Sequence, residues 1–196
     1  MIRIGIVGDI GSGKSYVAKQ FGFPIFNADL EVNKIYKKSR KCFKKFKKTF
    51  PNRIFSFPIN RRELSQIVIE NKNNIKKINR IVHPEVRIKM NKFINKNKKK
   101  KAIILDIPLL LEGRINKKGD VLIFVDAKKK EINKRLKKRY NFNIGVFKKL
   151  KKLQLPLEIK KKKSNYIIIN NFKSLSIKKS VKILKNKILK NERSNT

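Results

Sequence analysis

The chain has 196 residues, with 54 Lys and Arg against 13 Asp and Glu and a net charge of +41. Hydrophobic residues make up 40% and fall in short blocks, which excludes disorder by composition and suits one domain, or one core carrying a smaller insertion. No run of about 20 apolar residues crosses a membrane, the single Cys42 excludes an internal disulfide or a cysteine zinc cluster, and the N-terminus lacks a signal-peptide pattern, so the cytoplasm is expected.

Residues 2–7 place β-branched side chains at alternate positions and predict a strand. A glycine-rich turn over 8–13 and a helix from Lys14 to Phe21 follow, then a second strand over 23–26 that ends at Asn27-Ala28-Asp29. The stretch 30–99 is helical in pattern and lysine-rich, with breaks expected at Pro51, Pro58 and Pro84. Strands resume over 102–105 and 121–125. Helical patterns then occupy about 128–140 and 145–154, an apolar block spans 166–169, and an amphipathic helix runs over about 174–189. Strand–helix alternation at both ends predicts an α/β fold: a parallel sheet flanked by helices, with 30–99 inserted after the second strand. Ligands of such sheets bind at the carboxyl ends of the strands. That rule directs attention to Gly8–Ser15, Asn27–Asp29, Asp106–Glu112 and the segment after Val125.

Gly8-Asp9-Ile10-Gly11-Ser12-Gly13-Lys14-Ser15 matches the phosphate-loop pattern G-x-x-x-x-G-K-[ST] and sits between a predicted strand and a predicted helix. Its glycines let successive N–H groups turn inward as an anion nest, and the helix N-terminus adds its positive end. Lys14 is expected to reach the β- and γ-phosphates, and the Ser15 hydroxyl to ligate Mg²⁺. Four of the eight glycines fall within residues 5–13, where this mechanism needs them. The loop implies nucleotide binding and leaves the reaction open. A guanine box of the Asn-Lys-x-Asp type is absent, and the chain is short for a nucleic-acid ATPase, so a kinase of a small metabolite fits best.

The positive charge is spread over nearly every segment after residue 33, alongside many Asn, Ile and Phe, whose codons need only A and T. Compositional bias is the hypothesis for it, and a parent genome of balanced base composition would remove that explanation. No specific nucleic-acid partner and no membrane partner are therefore expected.

Several pieces beyond the loop resemble, in order, the dephospho-coenzyme A kinase family. Asn27-Ala28-Asp29 is similar to its Asp-Ala-Asp, Arg61-Arg62-Glu63-Leu64 to its Arg-x-x-Leu, and His83-Pro84 to its His-Pro. Pro108-Leu109-Leu110-Leu111-Glu112 resembles its Pro-Leu-Leu-Phe-Glu, Arg135 and Arg139 its paired lid arginines, and Gln154 and Asn170 its late Gln and Asn. The likeness spans about residues 3–171. Departures are Asp9 for a glycine, Tyr16 for Thr, Asn27 for the first Asp, Ser164-Asn165 for the usual Ala-Asp, and Phe172 for the glycine after the late Asn.

The resemblance implies a phosphate-loop kinase core over 1–29 and 100–196, with a short lid near 135–150 and a helical acceptor-binding insertion over 30–99. It implies transfer of the ATP γ-phosphoryl to the ribose 3′-hydroxyl of dephospho-CoA, with Mg²⁺, in a monomer by default. Another metabolite kinase, acting on a nucleoside or its monophosphate, and a basic nucleic-acid-binding ATPase are the alternatives. Gly8, Gly11, Ser12, Gly13, Lys14, Ser15, Tyr16 and Asn170 are the expected ATP contacts, and Ser15 and Asp106 the expected Mg²⁺ shell. Asp29 is expected to orient and deprotonate the acceptor hydroxyl, its other reading being an N-cap for a helix starting at Leu30. Arg135 and Arg139, four apart on one helix face, are expected to neutralise the transferring group together with Lys14; otherwise they are two more surface cations. Arg61, His83, Leu109 and Glu112 are expected on the acceptor side. A structural role stands beside the functional one for His83, Glu112 and Asp106.

Overall fold

The computed structural model describes residues 1–71, 73–138 and 142–193. Five parallel strands form one sheet in the order β2-β3-β1-β4-β5: β1 (Ile2–Gly8), β2 (Ile25–Asn27), β3 (Ala102–Asp106), β4 (Val121–Asp126) and β5 (Tyr166–Ile169). The chain divides into two compact units.

The first unit comprises Met1–Asn27, Asn97–Phe142 and Leu153–Thr196. It holds the sheet with α1 (Lys14–Gln20), α6 (Lys129–Lys137), α8 (Leu157–Lys162) and α9 (Ser174–Arg193). β3 and β4 read as near-continuous apolar runs because a strand inside a parallel sheet is covered on both faces. One face is buried under α1 and α9, where Ile4, Ile104 and Ile123 meet Val17, Phe21, Ile177 and Val181. Each such side chain contributes about 1.5–3 kcal/mol by leaving water. Gly5 interrupts β1 for a steric reason. A Cβ there would lie 2.5 Å from Leu110 Cδ2 and 2.8 Å from Leu122 Cδ2. The missing side chain lets Leu110 seat the turn that follows β3 directly on the sheet.

The second unit comprises Ala28–Lys96 and Asn143–Lys152. It holds α2 (Ala28–Lys38), α3 (Arg40–Thr49), α4 (Arg61–Glu70), α5 (Asn74–Lys96) and α7 (Ile144–Lys152) around Ile35, Phe46, Ile54, Ile67 and Val82. Ser39 Oγ caps α3 by accepting from Cys42 N, and Asn60 Oδ1 caps α4 by accepting from Arg62 N. Lys149 Nζ of α7 donates to Val68 O at 2.7 Å, neutralising a carbonyl near the end of α4.

Three expectations change. Pro84 does not break its segment: it lies inside the 23-residue α5, and His83 before it is helical too. The buried stripe Ile75, Ile78, Ile81 and Val82 supplies the packing that offsets the proline's lost hydrogen bond. Helix α8 forms where no helix was predicted. The second strand lies over Ile25–Asn27 rather than 23–26, and α2 begins at Ala28, so Asp29 stands within the helix's first turn and not before it.

Candidate active site

The loop after β1 occupies the carboxyl edge of the central strand and runs straight into α1. Gly13 adopts a φ of +88°, and a Cβ there would collide with the Asn170 side-chain amide. Only glycine satisfies both constraints. Asn170, 2% exposed, donates from Nδ2 to Ser12 O at 2.8 Å, accepts Phe172 N at Oδ1 at 2.8 Å, and donates its own N–H to Asp126 O at 2.6 Å. It thus ties the loop to the ends of β4 and β5, acting on the loop's shape. Lys14 Nζ donates back to Asp9 O at 2.7 Å, with Gly8 O at 3.4 Å, so its ammonium lies across the loop it belongs to. Asp9 is buried, and its Oδ1 accepts Ile10 N at 2.7 Å, bracing the turn where the family has glycine.

Ser15 is exposed in the first turn of α1. Ser12 is fully buried, and its hydroxyl has no hydrogen-bond partner among the described residues. Tyr16 is exposed, its hydroxyl 2.7 Å from Ser174 Oγ at the start of α9. Asp106 closes β3 next to β1, where Leu105 stands opposite Gly5, and is buried. Its Oδ2 accepts Asn27 Nδ2 at 2.6 Å from the end of β2.

Leu109 and Glu112 follow in the turn after β3. Leu109 is half-buried. The Glu112 carboxylate points into protein, with Oε1 accepting Leu155 N at 2.9 Å and lying 2.7 Å from Lys160 Nζ. Lys160, 1% exposed, is the one member of the 160–163 lysine run buried in this way. Sequence reasoning passed over it, since a run of four lysines carries no mark of which one is paired. On α6, the Arg135 guanidinium lies 4.5 Å from the centre of the Phe172 ring. Arg139 lies outside the described residues.

In the second unit, Asp29 is exposed at the start of α2, and Arg61 opens α4 with its Nη2 donating to Asn33 Oδ1 at 2.5 Å. Tyr36, missed from sequence, joins them electrostatically. Burial and then the Cys42 thiol push its hydroxyl up to about 12, with Arg61 pulling the other way and Asp29 adding to the rise. His83 is exposed on α5, yet crowding of its ring and then the Arg87 guanidinium hold its pKa below the usual 6.5.

A complete phosphate loop between the first strand and first helix of a parallel 2-3-1-4-5 sheet gives the chain the α/β fold of the phosphate-loop kinases. The sequence profile of the dephospho-CoA kinases (CoaE) matches residues 2–176. The chain is 36% identical over 174 residues to the dephospho-CoA kinase of Fusobacterium nucleatum, covering 86% of this chain and 89% of that one. It is 34% identical over 170 residues to that of Bartonella quintana, covering 84% and 87%. The fold resembles the crystal structure of TT1252 from Thermus thermophilus, with a TM-score of 0.76, 27% identity and coverage of 93% and 95%. The chain belongs to the dephospho-CoA kinase family.

Proposed function

We propose that the chain transfers the γ-phosphoryl group of ATP to the ribose 3′-hydroxyl of dephospho-CoA, giving CoA and ADP. The observation that supports this most is the complete phosphate loop, at the carboxyl edge of β1, in a chain of this family. Phosphoryl transfer of this kind needs positioning and charge stabilisation more than covalent help from the protein. The nest and Lys14 hold the β- and γ-phosphates, Lys14 exchanging the Asp9 carbonyl for phosphate oxygen. Asp29 takes the proton of the 3′-hydroxyl as its oxygen bonds to the γ-phosphorus and the bridging oxygen leaves with ADP. Arg135 and Arg139 neutralise the transferring group. Arg61 meets the acceptor's diphosphate by paired hydrogen bonds, the insertion over 30–99 seats the rest of that substrate with His83, Leu109 and the Glu112 turn, and residues near 135–150 serve as the lid.

The donors near the loop suit Mg²⁺, since Ser15 and Asp106 offer the hydroxyl and carboxylate oxygens that this ion prefers. Among the described residues no group of three or more His, Cys, Asp and Glu could hold a metal. That fits an ion bound by one or two protein oxygens plus phosphates. Bound there, Mg²⁺ supplies charge neutralisation at the phosphates. The reading is of a cytoplasmic monomer acting on small molecules. Among the described residues no helix is long and apolar enough to cross a membrane.

An ADP-release assay over a panel of acceptors tests the proposal. Turnover with dephospho-CoA well above that with nucleosides and nucleoside monophosphates is expected. Preference for a nucleoside monophosphate would replace the acceptor.

A further inference from the structure

Phe172 is a bulky residue held at a φ of +61°, a conformation that L side chains avoid. Such strain persists only where surrounding contacts impose it, and it concentrates at ligand clamps. The contacts here are specific. Asn170 Oδ1 accepts the Phe172 N–H while Asn170 Nδ2 holds Ser12 O, so one side chain fixes Phe172 to the phosphate loop. Two residues on, Ser174 is joined to Tyr16 of α1. The ring itself belongs to neither hydrophobic core. It is half-buried, with its Cε1 3.5 Å from where a Cβ on Gly13 would stand, and the Arg135 guanidinium over it. The ring therefore stands beside the last glycine of the loop that would hold the phosphates to which a nucleoside is joined. Arg135 is exposed, so its guanidinium can lift from the ring when a flat aromatic group takes its place.

We propose that the Phe172 ring is the surface on which the nucleobase of the phosphoryl donor stacks, a proposal that rests on ATP occupying the phosphate loop as above. Stacking uses a π-face that every base has, so this contact favours nucleosides over bare polyphosphate and discriminates little between purines.

Calorimetric titration of the full chain with ATP, GTP and tripolyphosphate tests it. Phe172→Leu should weaken ATP and GTP binding alike by about 5- to 150-fold, the usual loss of a base–aromatic stack, and leave tripolyphosphate unchanged. Phe172→Tyr keeps the ring and should restore both. Phe172→Gly removes the ring and relieves the left-handed backbone, so it should fold at least as well as the parent while losing the same affinity; it stands in if the leucine variant does not fold. Unchanged ATP affinity without the ring, or an equal loss for tripolyphosphate, overturns the stacking role. Transfer to dephospho-CoA is measured alongside. Ring-dependent ATP binding without that transfer sinks the reaction proposed above and keeps the stack, whereas transfer at unchanged ATP affinity sinks the stack alone.

Discussion

Asn27 Nδ2 and Asp106 Oδ2 meet at 2.6 Å across the ends of adjacent parallel strands, so an amide donates to a buried carboxylate where the family has a second acid. Asn27→Asp would set two carboxylates against each other, and a like charge disfavours ionisation of one of them. That acid's folded pKa would rise above its unfolded value, so the penalty is full at neutral pH and fades as pH falls through the raised pKa. The variant should lose about 1–3 kcal/mol at pH 7 and regain it progressively as pH falls through the raised pKa to the unfolded value of about 4. Thermal midpoints of parent and variant across that range check this. A deficit that does not depend on pH would mean that the two side chains do not share a proton-sensitive contact.

Lys14→Ala should abolish phosphoryl transfer and weaken ATP binding. The side chain donates to the Asp9 and Gly8 carbonyls of its own loop, and the loss of a hydrogen bond of that kind costs about 1 kcal/mol. The fold should therefore survive, as unfolding curves would show. A folded variant that turns over at near the parent rate would remove the phosphate loop from the mechanism.

Much of this fold was legible because strand, glycine turn and helix state their geometry locally. The phosphate loop fixes where β1 ends and α1 begins, and the apolar runs 102–105 and 121–125 fall within the strands formed. What stayed hidden depends on partners far away in sequence. Pro84 argues locally against helix, but the stripe from Ile75 to Val82 packs into the second unit and prevails. Lys160 is marked out only by Glu112. Phe172 reads as a plain substitution for glycine until its positive φ and its neighbours Gly13 and Arg135 are seen together.

Glu112 and Lys160 form a buried ion pair, with side chains 11% and 2% exposed, that joins the turn after β3 to α8. Removing one charge leaves the other unpaired in the interior, which costs about 3–5 kcal/mol. Lys160→Met should therefore destabilise strongly in chemical denaturation. The double variant Glu112→Gln with Lys160→Met should recover part of the loss. A double variant as unstable as the sum of the two singles would mean that the charges are not coupled.

Tyr36 supplies an alkaline signature. With its pKa raised from 10.0 to about 12, the folded state keeps a proton that the unfolded chain releases. Its contribution is whole below pH 10 and is lost as pH rises from 10 towards 12, about 2–3 kcal/mol in all. Tyr36→Phe has no proton to lose. The gap in stability between parent and variant should thus move in the variant's favour over that interval. Parallel curves for the two proteins would show that this hydroxyl titrates normally.

Asp29 is the sharpest test of the proposed chemistry, because its helix offers it a second role. It stands in the first turn of α2, where a negative charge is favoured by the helix dipole. That effect is worth about 0.3–1 kcal/mol at an exposed position, too little to unfold the chain. Asp29→Asn keeps size and shape but cannot accept a proton at neutral pH. ATP should still bind, since its phosphates are held by the loop. Transfer to dephospho-CoA should fall by about 10²–10⁴-fold, the usual contribution of a positioned base. Asn27→Asp, which restores acid at the other site, should change the rate per folded molecule far less, because Asn27 is turned to Asp106. Single-turnover rates, corrected for the folded fraction, separate the two roles. If Asp29→Asn loses stability yet keeps its rate, Asp29 serves the helix and the proton goes elsewhere.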